Sequence, residues 1–345
     1  MTDIKELAKH LGLSVGTVSR ALNDRPEVHP ETRRRVQEAA REIGYVQNQA
    51  GRSLRLGATQ IIGFFMHSAE ILKGDSAGFF ISIINGMQRE FARENLDLVV
   101  FPGSSDEDST DYLARLSRRQ VVDGVILAET RDDDPRIEYL NRAKIPFITF
   151  GRSRTKGDYS WLDFDFEDVV RTVVSRFAGL GHRNIAAVMA SEDANYLKIM
   201  LKTLPRVMES HGLMLNSELL RRAPVSKEGA GDIANWLLEH PARPTAVMIS
   251  HAQFAPAIYD ALAARGLKPG IDLAITAMLQ NMETSTLEPP LSGFATDMAG
   301  LGAHLARMLM ARLPAFAARY SLYAENKLWP ATFHLGGSDV NGPKL

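Results

Sequence analysis

The stretch Ser14-Val15-Gly16-Thr17-Val18-Ser19-Arg20-Ala21-Leu22-Asn23 decides how this chain is read. Ser14 suits a helix N-cap, because its hydroxyl can accept an orphan N–H of the first turn. Val18, Ala21 and Leu22 recur at i, i+3 and i+4 and share one buried face. Val15, Gly16, Thr17, Ser19 and Arg20 fall toward the other side. That outer face has one long cation, two hydroxyls and two small positions. It can enter a major groove, bond phosphates and present a guanidinium to a guanine. Alone, the stretch is a capped amphipathic helix, so its surroundings decide its role.

Upstream, Ile4, Leu7, Ala8 and Leu11 form a helical stripe that Gly12 ends. Two helices joined by a short glycine-containing turn make a helix-turn-helix. Ala8 is small where the helices must cross. A third helix is expected from Pro30, a residue suited to a first helical turn. In it Val36, Ala39, Ala40 and Ile43 face inward, and Gly44 supplies a left-handed cap. Arg33, Arg34, Arg35 and Arg41 are expected on the solvated side, with one or two reaching phosphate. Net charge is −1 overall, yet residues 1–57 carry ten basic and seven acidic side chains. A basic excess at this end points to nucleic acid.

Four separated blocks then agree in order and spacing: Val15 to Asn23, Glu31-Thr32-Arg33, Gly44-Tyr45, and Asn48 with Arg52-Ser53-Leu54-Arg55. Together they resemble the lac repressor (LacI) family of bacterial transcription regulators. The resemblance implies that Val15, Gly16 and Arg20 read bases. It implies that Ser14, Thr17, Ser19 and Asn23 hold phosphates or nearby edges. Residues 48–55 would be a hinge, helical mainly on operator, with Asn48, Arg52 and Arg55 on the DNA. Leu54 would wedge into the central minor groove, as apolar side chains do when they prise a base step apart. Gly51 departs from the family's usual alanine, and glycine in a helix costs about 1 kcal/mol relative to alanine.

The remainder reads as a soluble globular body. A chain of 345 residues suggests two to three domains. No apolar run approaches the ~18 residues of a membrane span. No apolar signal segment follows Met1, so a cytoplasmic location is expected. The absence of cysteine excludes disulfides, thiol catalysis and zinc–cysteine sites. Ile61 to Met66 is a continuous apolar run of the kind buried parallel strands show. A helix with Phe80, Ile83, Ile84, Met87 and Phe91 follows. Strands at Leu96–Phe101, Val125–Ala128 and Phe147–Phe150 alternate with further helices. The pattern restarts after Tyr159, with strands at Ile185–Met189, Ala246–Ser250 and Leu273–Ala277. Two such successions imply two α/β lobes.

The resemblance continues through Gly124 to Leu127, Gly179 to Ile185, Arg243 to Val247 and Pro289 to Ser292. It implies an N-terminal all-α helix-turn-helix head plus an α/β two-lobed, periplasmic-binding-protein-like (type I) effector domain. The expected divisions are 1–46 for the DNA-binding head and 47–57 for the hinge. The effector domain is expected over 58–337, with a flexible tail at 338–345. Its first lobe takes about 58–152 and 292–313, and its second about 153–291 and 314–337. A small ligand would sit between lobes, where the carboxyl ends of two facing sheets make a crevice.

Candidate effector residues follow from these positions. Phe79 and Phe80 are either a platform for a sugar face or packing at a helix start. Arg152, which matches a family arginine, has the donor fork that a polyhydroxyl or acidic ligand needs. Trp161 could stack on a pyranose ring or serve as a lid. Asp165 lies close by, where the second lobe is expected to begin. Three departures stand out. Tyr196 stands where the family usually has an arginine, His251-Ala252 replaces an Asn-Asp pair, and Leu279-Gln280 replaces an aspartate. A charged sugar clamp is thus mostly absent, and an aromatic site for an oligosaccharide or glycoside is expected.

Nothing points to an enzyme. The nine histidines never fall within four residues of one another, so no HExxH-type metal spacing exists. Asp163, Asp165, Glu167 and Asp168 could hold a cation, but acids favour a solvated helix N-terminus. No cofactor is expected beyond the small-molecule effector. One helix-turn-helix reads half an operator, so a homodimer on a palindromic double-stranded site is expected. The tail carries no heptad repeat that would support a coiled-coil tetramer. The expected function is a ligand-responsive repressor of carbohydrate-utilisation genes, released by a small sugar or glycoside. The alternatives are a corepressor-dependent regulator and a sugar-binding module with no DNA role.

Overall fold

The computed structural model describes residues 3–22, 25–45, 58–66, 76–103, 108–278, 286–340 and 342. The chain divides into two units, residues 1–59 and 60–345. In the first unit, α1 (Ile4–Leu11) starts at a capping box. The Asp3 carboxylate accepts from the N–H groups of Lys5 and Glu6, and Glu6 reaches back to the Asp3 N–H. Gly12 closes the helix at φ 66°, a conformation glycine adopts without strain. Then come α2 (Val15–Leu22) and α3 (Pro30–Glu42). Leu7, Ala8, Val18, Ala21, Val28, Val36, Ala39 and Ala40 form the core of this small unit. Arg33 donates to the carbonyls of Arg25 and Val28 and so ties down the loop before α3.

The second unit begins with β1 (Ile61–Met66), α4 (Ser76–Arg93), β2 (Asp97–Pro102), α5 (Ser109–Arg118), β3 (Gly124–Ala128), α6 (Pro135–Ala143), β4 (Phe147–Phe150) and β5 (Ser160–Phe164). It continues with α7 (Phe166–Gly179), β6 (Ile185–Ala190), α8 (Asn195–Ser210), β7 (Leu220–Ala223), α9 (Lys227–Glu239), β8 (Ala246–Ile249), α10 (Ala255–Ala264) and β9 (Ala274–Ala277). Last come β10 (Ser292–Ala295), α11 (Met298–Met310), β11 (Lys327–Trp329) and β12 (Thr332–His334). Two six-stranded sheets result, ordered β11-β5-β4-β3-β1-β2 and β12-β10-β9-β8-β6-β7. All pairings are parallel except β10 with β12. Strands β3 and β6 are buried along their whole length, as their unbroken apolar sequences require. No helix among the described residues is long and apolar enough to cross a membrane.

The lobe boundaries differ from the sequence-based division. Strand β5 pairs with β4 in the first sheet, Thr149 opposite Trp161, so residues 160–164 do not begin the second lobe. Strand β10 pairs with β9 in the second sheet, whereas the sequence places residues 292–313 in the first lobe. Helix α11, in that same span, does pack on α4 of the first lobe. Glycines permit the approach: a Cβ on Gly302 would stand 2.0 Å from the Ile83 carbonyl oxygen, and one on Gly86 2.1 Å from that of Ala299. Strand β11 joins the first sheet and β12 the second. The chain therefore passes between lobes three times: from β5 to α7, from β10 to α11, and from β11 to β12.

The expected flexible tail is also corrected over its first part. Ser338 and Asp339 are fully buried. The Ser338 hydroxyl donates to the Ile275 carbonyl at 2.6 Å, and the Ile275 N–H donates to the Ser338 carbonyl at 2.7 Å. The Asp339 carboxylate accepts from Ser292 Oγ at 2.5 Å and pairs with Arg176. Ionic and backbone bonds, invisible in apolar periodicity, fasten this segment beside β9 and β10.

Candidate functional site

In the head, α2 presents the face that its sequence implies. Ser14 Oγ accepts the Thr17 N–H at 3.1 Å and lies 2.9 Å from Thr17 Oγ1, so Ser14 caps the helix. Val18 and Ala21 are buried, whereas Ser14, Val15, Gly16 and Arg20 are exposed and Thr17 and Ser19 partly so. Val15 is 41% exposed. A Cβ on Gly16 would lie 3.9 Å from an Arg20 guanidinium nitrogen, so the bare glycine leaves space beside that cation. Asn23, Asn48, Arg52, Leu54 and Arg55 lie outside the described residues.

In the body, the carboxyl ends of the strands gather a run of rings. Phe79 on α4 meets Phe80 at 5.0 Å and Phe164 of β5 at 6.4 Å between centroids. Phe164 touches Phe150 at 5.7 Å and Phe166 at 5.9 Å. Phe166, the first residue of α7, stacks on Tyr196 of α8 at 5.0 Å and 28°. Tyr196 reaches His251, two residues beyond β8, with its hydroxyl 3.4 Å from Nε2. The run thus crosses from the first lobe into the second. Phe79, Tyr196 and His251 are partly exposed at its ends, while Phe80, Phe164 and Phe166 are buried.

The electrostatics of this run are neutral. Burial pushes the His251 imidazole down to about 4, so it carries no charge near pH 7. Burial, with Glu192 and Glu129 nearby, holds the Tyr196 phenol well above its ordinary value. Ser250 Oγ accepts the Ala190 N–H at 2.9 Å and lies 3.0 Å from His251 Nδ1. A chain of polar atoms therefore leads from the backbone of β6 to the Tyr196 hydroxyl.

Arg152 sits elsewhere. Its Nε donates to Asp163 at 2.8 Å, and its two terminal nitrogens donate to Glu167 at 3.1 and 2.7 Å. Its guanidinium also lies 5.8 Å from the Trp161 ring. Burial opposes its charge, but the bonds to Glu167 and Asp163 outweigh that and raise its pKa. Burial pushes Asp163 up to about 6 against the pull of Arg152. Asp163 is therefore no solvated helix-terminal acid; it is 2% exposed. Trp161 alternates with Phe164 across β5 and faces the Arg152 side, away from the ring run. Asp165 caps α7 by accepting the Asp168 N–H at 2.9 Å. It lines a separate cavity of about 220 Å³ with Asp168, Val169, Leu328, Trp329, Pro330 and Ala331. Gln280 lies outside the described residues.

Phe150, Phe164, Phe166 and Ser250 were missed from the sequence. A signal was present for two of them, since Phe164 and Phe166 flank the Asp165 already singled out. Among the described residues, no group of three or more His, Asp or Glu side chains could hold a metal ion.

A three-helix head with an exposed polar helix face and a two-lobed body with rings gathered at its strand ends are the parts of a DNA-binding transcription regulator. Comparison with known proteins agrees. Residues 3–48 match the family described as bacterial regulatory proteins, lacI family, and residues 174–327 match a periplasmic binding protein-like domain. The chain is 34% identical to the HTH-type transcriptional regulator AglR of Rhizobium meliloti (strain 1021), over 99% of this chain and 95% of that protein. It is 31% identical to RafR of Escherichia coli over 77% and 78% of the two chains. A lac repressor dimer bound to operator and the anti-inducer ONPF superposes with a TM-score of 0.82 at 20% identity, covering 98% and 99%. A CelR–cellobiose complex superposes with a TM-score of 0.69 at 21% identity, covering 98% and 100%. The chain belongs to the lacI family of bacterial transcription regulators.

Proposed function

We propose that the protein represses carbohydrate-utilisation genes as a homodimer on a palindromic operator and lets go when a small uncharged sugar or glycoside enters the strand-end crevice. The observation that carries this reading is the run of rings from Phe79 to Tyr196, ending on a neutral His251. Aromatic faces take the apolar face of a pyranose, and hydroxyl and imidazole groups bond its rim. Arg152, the cation expected to meet an acid sugar or a phosphate, is committed to Asp163 and Glu167. Effectors in solved relatives fit the same chemistry, because CelR was seen with cellobiose and the lac repressor with ONPG. We assign effector contact to Phe79, Tyr196 and His251, and base reading to Arg20 with Val15 and Gly16. The effector and DNA are coupled reciprocally, each weakening the other. No catalytic or cofactor role is assigned, and the protein works in the cytoplasm.

The test is an operator shift assay with a palindromic site over a range of salt, with and without cellobiose, ONPG and a panel of neutral and acidic sugars. Release by a neutral glycoside, and none by the acidic sugars, is expected. Tighter operator binding would make the ligand a corepressor, and no binding at any salt would remove the DNA role.

A further inference from the structure

Arg152 and Thr130, just past the ends of β4 and β3 in the first lobe, both bond residues of the second lobe. Its guanidinium, anchored in the first lobe by Asp163, grips Glu167 in the first turn of α7. Its carbonyl oxygen accepts from Asn195 Nδ2, at the start of α8, at 2.7 Å. The same carbonyl accepts from Thr130 Oγ1 at 2.9 Å, and the Asn195 N–H donates to the Thr130 carbonyl at 2.8 Å. Asn195 is 6% exposed, so its amide is committed to these partners. The loop beneath is shaped for the purpose. Gly151 has φ 116°, and a Cβ there would stand 2.4 Å from Thr130 Oγ1.

We propose that Arg152 and Asn195 form a clasp between the lobes that sets closure of the crevice and places Tyr196, the next residue along α8, over the ligand. Both act as positioning residues and touch no ligand themselves. The ligand half of this inference rests on the function proposed above; the clasp half does not. Asn195 bonds two loops of the opposite lobe, while Tyr196 stacks on Phe166 and reaches His251. A ligand pressing on Tyr196 therefore loads the clasp directly, and opening the clasp withdraws Tyr196 from the site. Lobe closure and ligand affinity share one residue pair.

The experiment compares full-length wild type with Asn195→Ala, Asn195→Asp and Tyr196→Phe. Amide exchange is measured first with no sugar present. Asn195→Ala should raise exchange in residues 128–134 and 194–197. Asn195→Asp should raise it further, because a carboxylate would then face the Arg152 carbonyl oxygen. Tyr196→Phe should leave both segments unchanged. Unchanged exchange in strand β6 checks that each variant is folded. Binding of cellobiose and ONPG is then measured by calorimetry. Losing one buried hydrogen bond should weaken both sugars by the same factor, roughly three- to tenfold, for Asn195→Ala. Tyr196→Phe should instead change the ratio between them. Wild-type exchange in both Asn195 variants overturns the clasp. Raised exchange with no sugar bound by wild type upholds the clasp and counts against the proposed ligand class.

Discussion

The hydroxyl of Tyr196 stands 3.4 Å from Nε2 of His251, and the imidazole there is uncharged at neutral pH. A protonated ring would be a cation buried among aromatic side chains, and burial depresses its pKa to about 4. His304 in the first lobe is similar. It lies between Tyr323 and Trp329, with burial first and then Lys327 and Arg307 driving it to about 4. Both histidines bind fewer protons folded than unfolded between about pH 4 and the free value near 6.5. Stability should therefore be level above about pH 6.5 and fall as pH drops toward 4, by up to roughly 3 kcal/mol per histidine. Melting temperature measured from pH 7.5 to 4.5 checks this. His251→Gln and His304→Gln should each flatten the fall, and an unaltered slope would remove the histidine concerned from the account.

Tyr196→Phe keeps the stack on Phe166 and removes one hydroxyl. Folding should be preserved within about 1 kcal/mol, while affinity for a neutral glycoside falls about tenfold, the scale of one hydrogen bond. Titration calorimetry at pH 7.5 reads the affinity. Equal binding by the two proteins would place the ligand elsewhere.

At the crossing of α4 and α11, a methyl group has nowhere to go. Gly302→Ala would set a Cβ 2.0 Å from the Ile83 carbonyl oxygen, so one helix must move. Overpacking of this kind costs about 1–3 kcal/mol. Urea unfolding should show a lower midpoint. A neutral outcome would mean that the helices slide apart freely.

Asp339 closes a polar corner with Arg176 and Ser292. Asp339→Ala leaves both partners short of an acceptor and should cost about 1–3 kcal/mol. Removal of residues 338–345 should cost more, since it also strips the bonds between Ser338 and Ile275. Thermal unfolding of both variants tests whether the segment is structural.

Arg20→Ala should relax discrimination at one base pair by ~1–3 kcal/mol per half-site. The check is binding to operator and to random duplex at several salt concentrations. Equal loss on both would make Arg20 a phosphate contact, and the salt slope would fall by about one.

How much of this was legible in the sequence follows from what each element had to say. The head was readable because capping and periodicity agree there: Gly12, Ser14, and Val18 with Ala21. Strands β1, β3 and β6 announced themselves as apolar runs. Strands β11 and β12 have three residues each, too short for any period, and β7 reads Leu-Arg-Arg-Ala, which has no apolar run. The lobe boundaries failed at β5, β10 and β11, because a short strand's composition does not say which sheet it joins. Phe79, Tyr196 and His251, singled out in the sequence, share one run of rings. Arg152, Trp161 and Asp165 were also singled out, and the structure puts them on other contacts. A donor fork looks the same in sequence whether it faces a ligand or two carboxylates. Only the fold brings Asp163 and Glu167, eleven and fifteen residues on, to Arg152.

The triple passage between the sheets also governs how the molecule can be made. Strand β5 waits on its outer side for β11, and β10 waits for β12, so both sheets lack their last strand until the chain has been synthesised through His334. An unpaired edge is a template for pairing with other chains. The two lobes must then finish almost together, late and in one step. A ribosome that stalls anywhere before Lys327 leaves two incomplete sheets instead of one finished lobe. Cutting the gene into separately expressed lobes should give insoluble pieces, while supplying residues 327–340 in trans offers a route to completing both sheets at once.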